Sequence, residues 1–188
     1  MFDVYKFNER DLFTKTRTIF LYGEVNMALA YDVGSRLKYL DYINSNEPIT
    51  IEINSPGGEV SSGLAIIDTM NYVQSPIKTV VCGMAASMAA VIAASGTKGM
   101  RYALPHSKVM IHQPLGGFGV SQASDIEIYA KNILQTRREL NEILAESCNR
   151  PIADIERDTD RDYYMTAKEA VEYGLIDKII EPRKEKKV

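Results

Sequence analysis

The 19-residue stretch Thr79–Thr97 contains no charged side chain, so the folded protein must bury it either in its own core or in a membrane. Its alanines are only weakly apolar, and serine and glycine interrupt it. The first part is rich in β-branched residues and the part after residue 87 is rich in alanine, which predicts a buried strand over residues 77–82 and a buried helix over residues 88–95. We therefore expect a domain core rather than a membrane span.

Ser87 lies at the junction between this predicted strand and helix. A serine on such a sharp turn projects its hydroxyl near the free N–H groups at the start of the helix, and these can stabilise negative charge on a carbonyl oxygen. Its neighbours Ala85 and Ala89 are small, as a tight turn requires. The pattern makes Ser87 a candidate nucleophile, and the alternative is a helix N-cap.

Two further segments carry residue types that such a nucleophile needs. The segment Asn54-Ser-Pro-Gly-Gly58 follows an alternating strand, and its paired glycines allow a backbone N–H to approach a ligand closely. The alternative there is an ordinary strand-to-helix turn. His112 ends the apolar strand 107–112 beside a glycine-rich break, which makes it a candidate general base or a structural histidine.

Strand and helix patterns alternate along the chain, which predicts an α/β fold with largely parallel strands and right-handed crossovers. Capping boxes predict helix starts at Ser124 and Thr166, and Gly174 predicts a helix end. The helix that starts at Ser124 is long enough for part of it to project beyond the body of the domain. The predicted strands are 17–22, 49–53, 77–82 and 107–112, and the predicted helices cover 60–72, 88–95 and 124–147, with a further one capped by Asn26 and carrying Leu29, Val33, Leu37 and Leu40 on its apolar face.

Composition limits the function further. A chain of 188 residues fits one domain, and a net charge of −3 gives no broad electrostatic reason to bind nucleic acid. Cys82 and Cys148 form no disulfide framework, which favours a reducing cytoplasm, and Cys82 is interpreted as a packing residue. We find no metal-ligand cluster and no phosphate-binding loop, and residues 1–9 lack the features of a signal peptide.

Several motifs together resemble the proteolytic subunit of the Clp protease family, over a region from about Arg17 to Ile180. They are Ser-Pro-Gly-Gly at 55–58, Gly-Met-Ala-Ala-Ser-Met at 83–88, Met-Ile-His-Gln-Pro-Leu-Gly-Gly at 110–117, Asp-Thr-Asp-Arg-Asp at 158–162 and Glu-Tyr-Gly-Leu-Ile-Asp at 172–177. The resemblance implies a Clp protease/crotonase-like fold of repeated strand-strand-helix units, with the long helix as a projecting handle. It also implies a single proteolytic domain over residues 1–188.

The resemblance implies a serine endopeptidase with Ser87 as nucleophile, His112 as base and Asp162 as the carboxylate that orients the imidazole. The implied oxyanion hole uses the backbone N–H groups of Gly58 and Met88. Residue types alone leave Asp158 and Asp160 open as the carboxylate, and the family motif selects Asp162. It gives Asp160 and Arg161 a role in subunit contacts. His106, the rival base, follows Leu-Pro in a predicted turn and is interpreted as structural.

The resemblance further implies a cytoplasmic homo-oligomer of two stacked heptameric rings, a tetradecamer that acts in protein quality control. An AAA+ unfoldase feeds protein substrates to this chamber, and ATP is used by that partner. This chain is expected to need no cofactor or metal, and to bind neither nucleic acid nor membrane.

The chain also departs from the family pattern. Residues 1–16 are divergent, residues 182–188 form a basic tail expected to be flexible, and the segment 116–122 is one residue longer. Ala89 replaces a glycine beside Met88. Glu52 and Lys38 replace an aromatic and an apolar residue in the cleft that, by the same resemblance, receives the unfoldase's loops. A charge there costs desolvation free energy, and the sequence shows no group that compensates it. We therefore hypothesise poor docking of the unfoldase or a mixed ring with a paralogous subunit.

Two other function classes are consistent with the sequence. One is a regulatory or structural paralogue that is inactive alone and becomes active in a mixed ring. The other is a crotonase-type acyl-CoA enzyme, which also uses paired backbone N–H groups but needs no serine–histidine–aspartate set.

Overall fold

A computed structural model of the protein describes residues 9–117, 119–120 and 122–181, with side chains from Phe13 onward. The strands are β1 (Thr18–Tyr22), β2 (Ile49–Ser55), β3 (Ile77–Ala86), β4 (Arg101–Ala103), β5 (Lys108–Ile111), β6 (Tyr163–Thr166) and β7 (Lys178–Ile179). The helices are α1 (Glu9–Thr16), α2 (Met27–Ile43), α3 (Val60–Tyr72), α4 (Met88–Ala94), α5 (Ala123–Cys148), α6 (Ile152–Asp158) and α7 (Ala167–Tyr173).

The strands of this region form one sheet in the order β1-β2-β3-β4-β7, with β5 paired to β3 and β6 paired to β5. Every pairing is parallel except that of β5 with β6, which is antiparallel. The predicted α/β class with largely parallel strands is therefore confirmed. The antiparallel pair was not predicted, and it forms one side of the site described below.

At the β1–β2 side of the sheet, one face is covered and the other is accessible. In β2 the residues Ile49, Ile51 and Ile53 are fully buried, whereas Thr50 and Glu52 on the opposite face are partly exposed. The buried face packs against helices. Helix α2 begins after Asn26, whose side chain accepts a hydrogen bond from the N–H of Leu29, and it buries the predicted positions Val33, Leu37 and Leu40.

The uncharged stretch folds as predicted into a strand and a helix, and all of α4 is buried in the core. The strand is longer than predicted because β3 continues past Cys82 to Ala86. Gly83, with φ of 92°, lies where β3 changes its neighbour. Before this glycine β3 pairs with β4, and after it Met84–Ala86 pair with β5.

Helix α5 differs from its prediction at its start. It begins at Ala123 after Gln122, so Ser124 lies inside the helix and cannot cap it, and the predicted capping box is wrong. The buried residues of α5 are Leu140, Asn141, Leu144 and Cys148, while residues 122–132 are exposed throughout. The first half of the helix thus has the exposure expected of a projecting element.

The second predicted capping box is present at Thr166, which accepts from the N–H of Glu169, and Gly174 ends α7 with φ of 98°. The elements α1, β4, α6, β6 and β7 were not predicted, since most are too short to show a period. The N-terminal helix α1 lies within the segment interpreted as divergent. Residues 1–8 and the basic tail 182–188 lie outside the described residues.

Candidate active site

Ser87 occupies a strained turn between β3 and α4. Its φ of 55° and ψ of −127° are a conformation that non-glycine residues rarely adopt, and such strain is typical of functional turns. Its backbone N–H donates to the carbonyl of Met110 at 2.8 Å, which ties the turn to β5. Ser87 occupies the N-cap position of α4, but its side chain makes no capping hydrogen bond, so its hydroxyl is available for another role.

The pairing of β3 with β5 brings His112 to this turn. Ala86 lies beside Met110 in the parallel register, and His112 follows the end of β5 directly. The Nε2 atom of His112 lies 2.8 Å from the Ser87 Oγ, and the histidine side chain is 12% exposed. An imidazole nitrogen at this distance can accept the hydroxyl proton once the opposite nitrogen is protonated.

The antiparallel pairing of β5 with β6 selects the carboxylate. Ile111 pairs with Tyr163, so the preceding Asp162 lies opposite His112. Asp162 Oδ1 lies 2.9 Å from His112 Nδ1, and the aspartate side chain is 56% exposed. This hydrogen bond places a proton on Nδ1 and leaves Nε2 free to accept from Ser87.

The other aspartates of the run have different partners. Asp158 accepts hydrogen bonds from the Tyr173 hydroxyl and from Arg157, and Asp160 accepts from the Gln113 side chain. His106 is exposed in the turn before β5 and is not part of this arrangement. The structure thus brings together the three side chains that the resemblance implied.

Gly57 and Gly58 bring a backbone segment against Ser87 and Met88. A Cβ on Gly57 would lie 2.7 Å from the Ser87 Cβ and 3.0 Å from the Met88 nitrogen, so only glycine fits. Gly58 forms a parallel β-bridge with Val25. The N–H of Val25 donates to the Gly57 carbonyl, and the Val25 carbonyl accepts from the N–H of Glu59. In this pattern the N–H of Gly58 points away from Val25.

The N–H of Met88 is free of the helix because it belongs to the first turn of α4. Gly58 and Met88 therefore each offer a backbone donor beside the Ser87 hydroxyl. Two such donors are the usual components of an oxyanion hole.

A cavity of about 340 Å³ opens beside these groups. Apart from Ser87, His112 and the glycines, its lining is almost entirely apolar; it includes Pro56, Val60, Met88, Val91, Met110, Pro114, Leu115, Leu140 and Leu144. Glu24 is the only other charged residue that the described part of the chain contributes to it. A cavity of this size accommodates one large apolar side chain next to the serine.

A model of the Clp protease family matches residues 3–183 of the chain. The chain belongs to the Clp protease family. Membership identifies it as a hydrolase of the serine peptidase class, and the mixed α/β architecture with a mostly parallel sheet agrees with the fold of that family.

The cysteines lie outside the site. Burial, together with the negative charge of Glu52 and a hydrogen bond to it, raises the pKa of the Cys82 thiol to about 12. Burial likewise raises the pKa of Cys148 to about 11. Both thiols are free, and neither has the thiolate character that a nucleophile needs.

Sequence reasoning missed Gln113, Asn141 and Glu24. Each lies within or next to the arrangement, but none belongs to a recognisable catalytic pattern. Within the described ranges, no three His, Cys, Asp or Glu side chains are grouped so that they could hold a metal ion. No helix in the same ranges is long and apolar enough to cross a membrane.

Proposed function

We propose that this chain is the proteolytic subunit of an ATP-dependent Clp protease, a serine endopeptidase that cleaves unfolded proteins and peptides inside a ring-shaped chamber. The observation that carries the proposal is the unbroken hydrogen-bonded series from Ser87 through His112 to Asp162 at the mouth of an apolar cavity. Ser87 acts as the nucleophile, His112 as the general base and Asp162 as the carboxylate that orients the imidazole.

In the first step the Ser87 Oγ attacks the carbonyl carbon of the scissile peptide bond while His112 Nε2 takes the hydroxyl proton. Asp162 holds the Nδ1 proton of the imidazole and stabilises the positive charge that the ring acquires. The carbonyl oxygen becomes negative and accepts hydrogen bonds from the Gly58 and Met88 N–H groups.

His112 then returns its proton to the leaving amine, which releases the peptide on that side and leaves an ester on Ser87. Water enters, gives up a proton to the same imidazole and attacks the ester carbon. When this second intermediate collapses, His112 returns the proton to the Ser87 Oγ, and the fragment that now carries a free carboxyl group is released.

The apolar cavity supports cleavage after a large apolar residue. A substrate side chain placed there would be removed from water against Val91, Leu140 and Leu144. Burying such a side chain contributes roughly 1.5–3 kcal/mol, which is enough to orient the peptide bond above Ser87.

The geometry favours the peptidase over the two alternatives. A regulatory paralogue that needs a partner to align its triad would have these side chains apart in the single chain, whereas here both contacts are already within 3 Å. A crotonase-type enzyme has no use for the continuous Ser87–His112–Asp162 series.

We further propose that the subunit assembles into two stacked heptameric rings in the cytoplasm and serves protein quality control with an AAA+ unfoldase that uses the ATP. The exposed half of α5 supports contact between rings. The two free cysteines support a reducing compartment. The chain itself is proposed to need no cofactor.

The expectation that Glu52 lacks compensation in its cleft is wrong. Its carboxylate accepts a hydrogen bond from the Tyr22 hydroxyl on the neighbouring strand, so its charge is already partnered. Lys38 is exposed on α2. The proposal of weak unfoldase docking therefore rests on the polarity of this surface, and Glu52→Tyr should strengthen binding of the unfoldase. Unchanged binding in the variant would count against it.

Hydrolysis of short fluorogenic peptides with an apolar residue before the cleaved bond tests the peptidase proposal. The parent protein should release the fluorophore, and Ser87→Ala should reduce the rate at least about 10³-fold. Equal rates in the two proteins would refute the proposal. Hydration of an enoyl-CoA by the parent would support the crotonase alternative instead.

A further inference from the structure

His112 and Asp162 lie on two segments that are fastened to each other away from the triad itself. The N–H of Gln113 donates to the Thr159 carbonyl at 2.6 Å, and the Gln113 side chain donates to the Asp160 carbonyl at 2.8 Å. These bonds join the residue after the imidazole to the segment that leads to the carboxylate. The distance between His112 and Asp162 therefore depends on where residues 159–162 are held.

Thr159 is the buried anchor of that segment. It is 0% exposed, whereas Asp160, Arg161 and Asp162 are all exposed. Its hydroxyl lies 2.8 Å from the carbonyl of Ile155 and 3.1 Å from the side-chain oxygen of Asn141 on α5. The bond to Asn141 links the segment to the long helix.

Asn141 makes this link at a cost. The residue is 2% exposed, and its Nδ2 has no hydrogen-bond partner among the described residues. The Thr159 hydroxyl has one proton, and its shorter contact is with the Ile155 carbonyl. Exchanging the amide oxygen and nitrogen lets Nδ2 donate to the Thr159 Oγ and keeps the link, and Oδ1 then occupies the buried position at which Nδ2 has no partner. A buried polar atom without a partner destabilises a fold, and the neighbouring Leu140 and Leu144 show that this helix face suits leucine.

We propose that Asn141 is a positioning residue: through Thr159 it holds the segment 159–162 and Gln113 so that Asp162 stays in contact with His112. It touches neither substrate nor the reacting atoms. The expected effect of Asn141 on catalysis rests on the proposed peptidase function. Its expected effect on the position of residues 159–162 rests on the hydrogen-bond network alone. It connects the buried half of α5 to the alignment of the triad.

Asn141→Leu separates positioning from stability. Leucine has the same number and branching of side-chain heavy atoms as asparagine and needs no hydrogen-bond partner, and Thr159 can still donate to Ile155. We expect the melting temperature to stay unchanged or rise by about 2–4 °C, because the unpartnered amide is gone. We expect kcat to fall roughly 10- to 100-fold with KM within about twofold of the parent, since a displaced catalytic group loses rate rather than binding.

Thr159→Val breaks the same link from the other side, and Thr79→Val is its matched control. Thr79 is also fully buried, and its hydroxyl also donates to a helix carbonyl, that of Ala93, at 2.8 Å. Both threonine variants should lower the melting temperature. Of the two threonine variants, only Thr159→Val should lower kcat, by at least as much as Asn141→Leu, because valine also loses the bond to Ile155.

Hydrogen exchange read by mass spectrometry tests the network without turnover. Amides in residues 111–116 and 157–163 should exchange faster in Asn141→Leu than in the parent and the Thr79→Val control. Unchanged exchange in these segments, or a parental kcat in Asn141→Leu, would overturn the inference. If the parent shows no Ser87-dependent turnover, the proposed function fails, and exchange alone decides the positioning role.

Discussion

Gly58→Ala is the substitution that separates the backbone donors from the triad side chains most cleanly. A Cβ on Gly58 would lie 2.2 Å from the Val25 carbonyl oxygen and 2.8 Å from the Val25 nitrogen. These atoms are backbone, so no side chain can rotate away, and the segment that carries the Gly58 N–H must move. The triad contacts involve other residues and should persist.

The expected loss follows from the role of one donor. Removing one oxyanion-hole hydrogen bond typically costs about 2.7–4 kcal/mol of transition-state stabilisation, which corresponds to a 10²- to 10³-fold fall in kcat. KM should change little because the donor acts mainly on the negative oxygen that forms during the reaction.

Gly99→Ala provides the control for backbone strain. Gly99 also has a positive φ, of 85°, but a Cβ there meets no atom within 4 Å. Its replacement should cost about 1–2 kcal/mol of stability through strain alone and leave peptidase activity at the parental level. Both variants are assayed by fluorogenic peptide hydrolysis after their melting temperatures confirm a folded protein. A folded Gly58→Ala that keeps kcat within about tenfold of the parent would refute the role of the Gly58 N–H.

Three further predictions concern charged groups. Burial alone would raise the pKa of Asp177, but hydrogen bonds from Arg101 outweigh it and hold that pKa below its usual value. Asp177→Ala should therefore lower the free energy of unfolding by about 3–5 kcal/mol near pH 7, because Arg101 is left buried and unpaired. The difference in free energy of unfolding between the parent and Asp177→Ala should shrink as the pH falls from about 4 through the lowered pKa of Asp177. A difference that urea titrations show to be independent of pH would contradict this. Glu24 should make peptides with Lys near the cleaved bond about two- to fivefold better substrates than matched peptides with Glu, and Glu24→Gln should remove the preference. Glu52→Gln should speed alkylation of Cys82 at pH 8, because Glu52 helps to raise the pKa of that thiol; an unchanged rate would argue against their contact.

The sequence was sufficient for the parts of the site that local patterns encode. Ser87 stands between a β-branched strand and an alanine-rich helix, and His112 ends an apolar strand beside glycines. The residues around each of them are therefore enough to mark both as candidates. Asp162 is not marked in this way, because three aspartates lie within five residues and all have the pattern of solvated surface. The register of β5 against β6 distinguishes them, and that register is a long-range property.

The same limit explains the errors in the fold. The strands β4 and β7 have only three and two residues, which is too short for an alternating pattern. Ser124 matched a capping-box signature, yet the helix starts one residue earlier. Glu52 seemed to be an uncompensated charge because its partner, Tyr22, lies 30 positions away in the chain and reaches it only across the sheet.

Intact mass after treatment with a fluorophosphonate tests the central claim that Ser87 is an activated nucleophile in this chain. The account predicts one adduct per chain in the parent protein and none in Ser87→Ala, since the 2.8 Å contact with His112 activates that hydroxyl alone. A parent protein that forms no adduct, or a Ser87→Ala variant that is labelled equally, would contradict the claim.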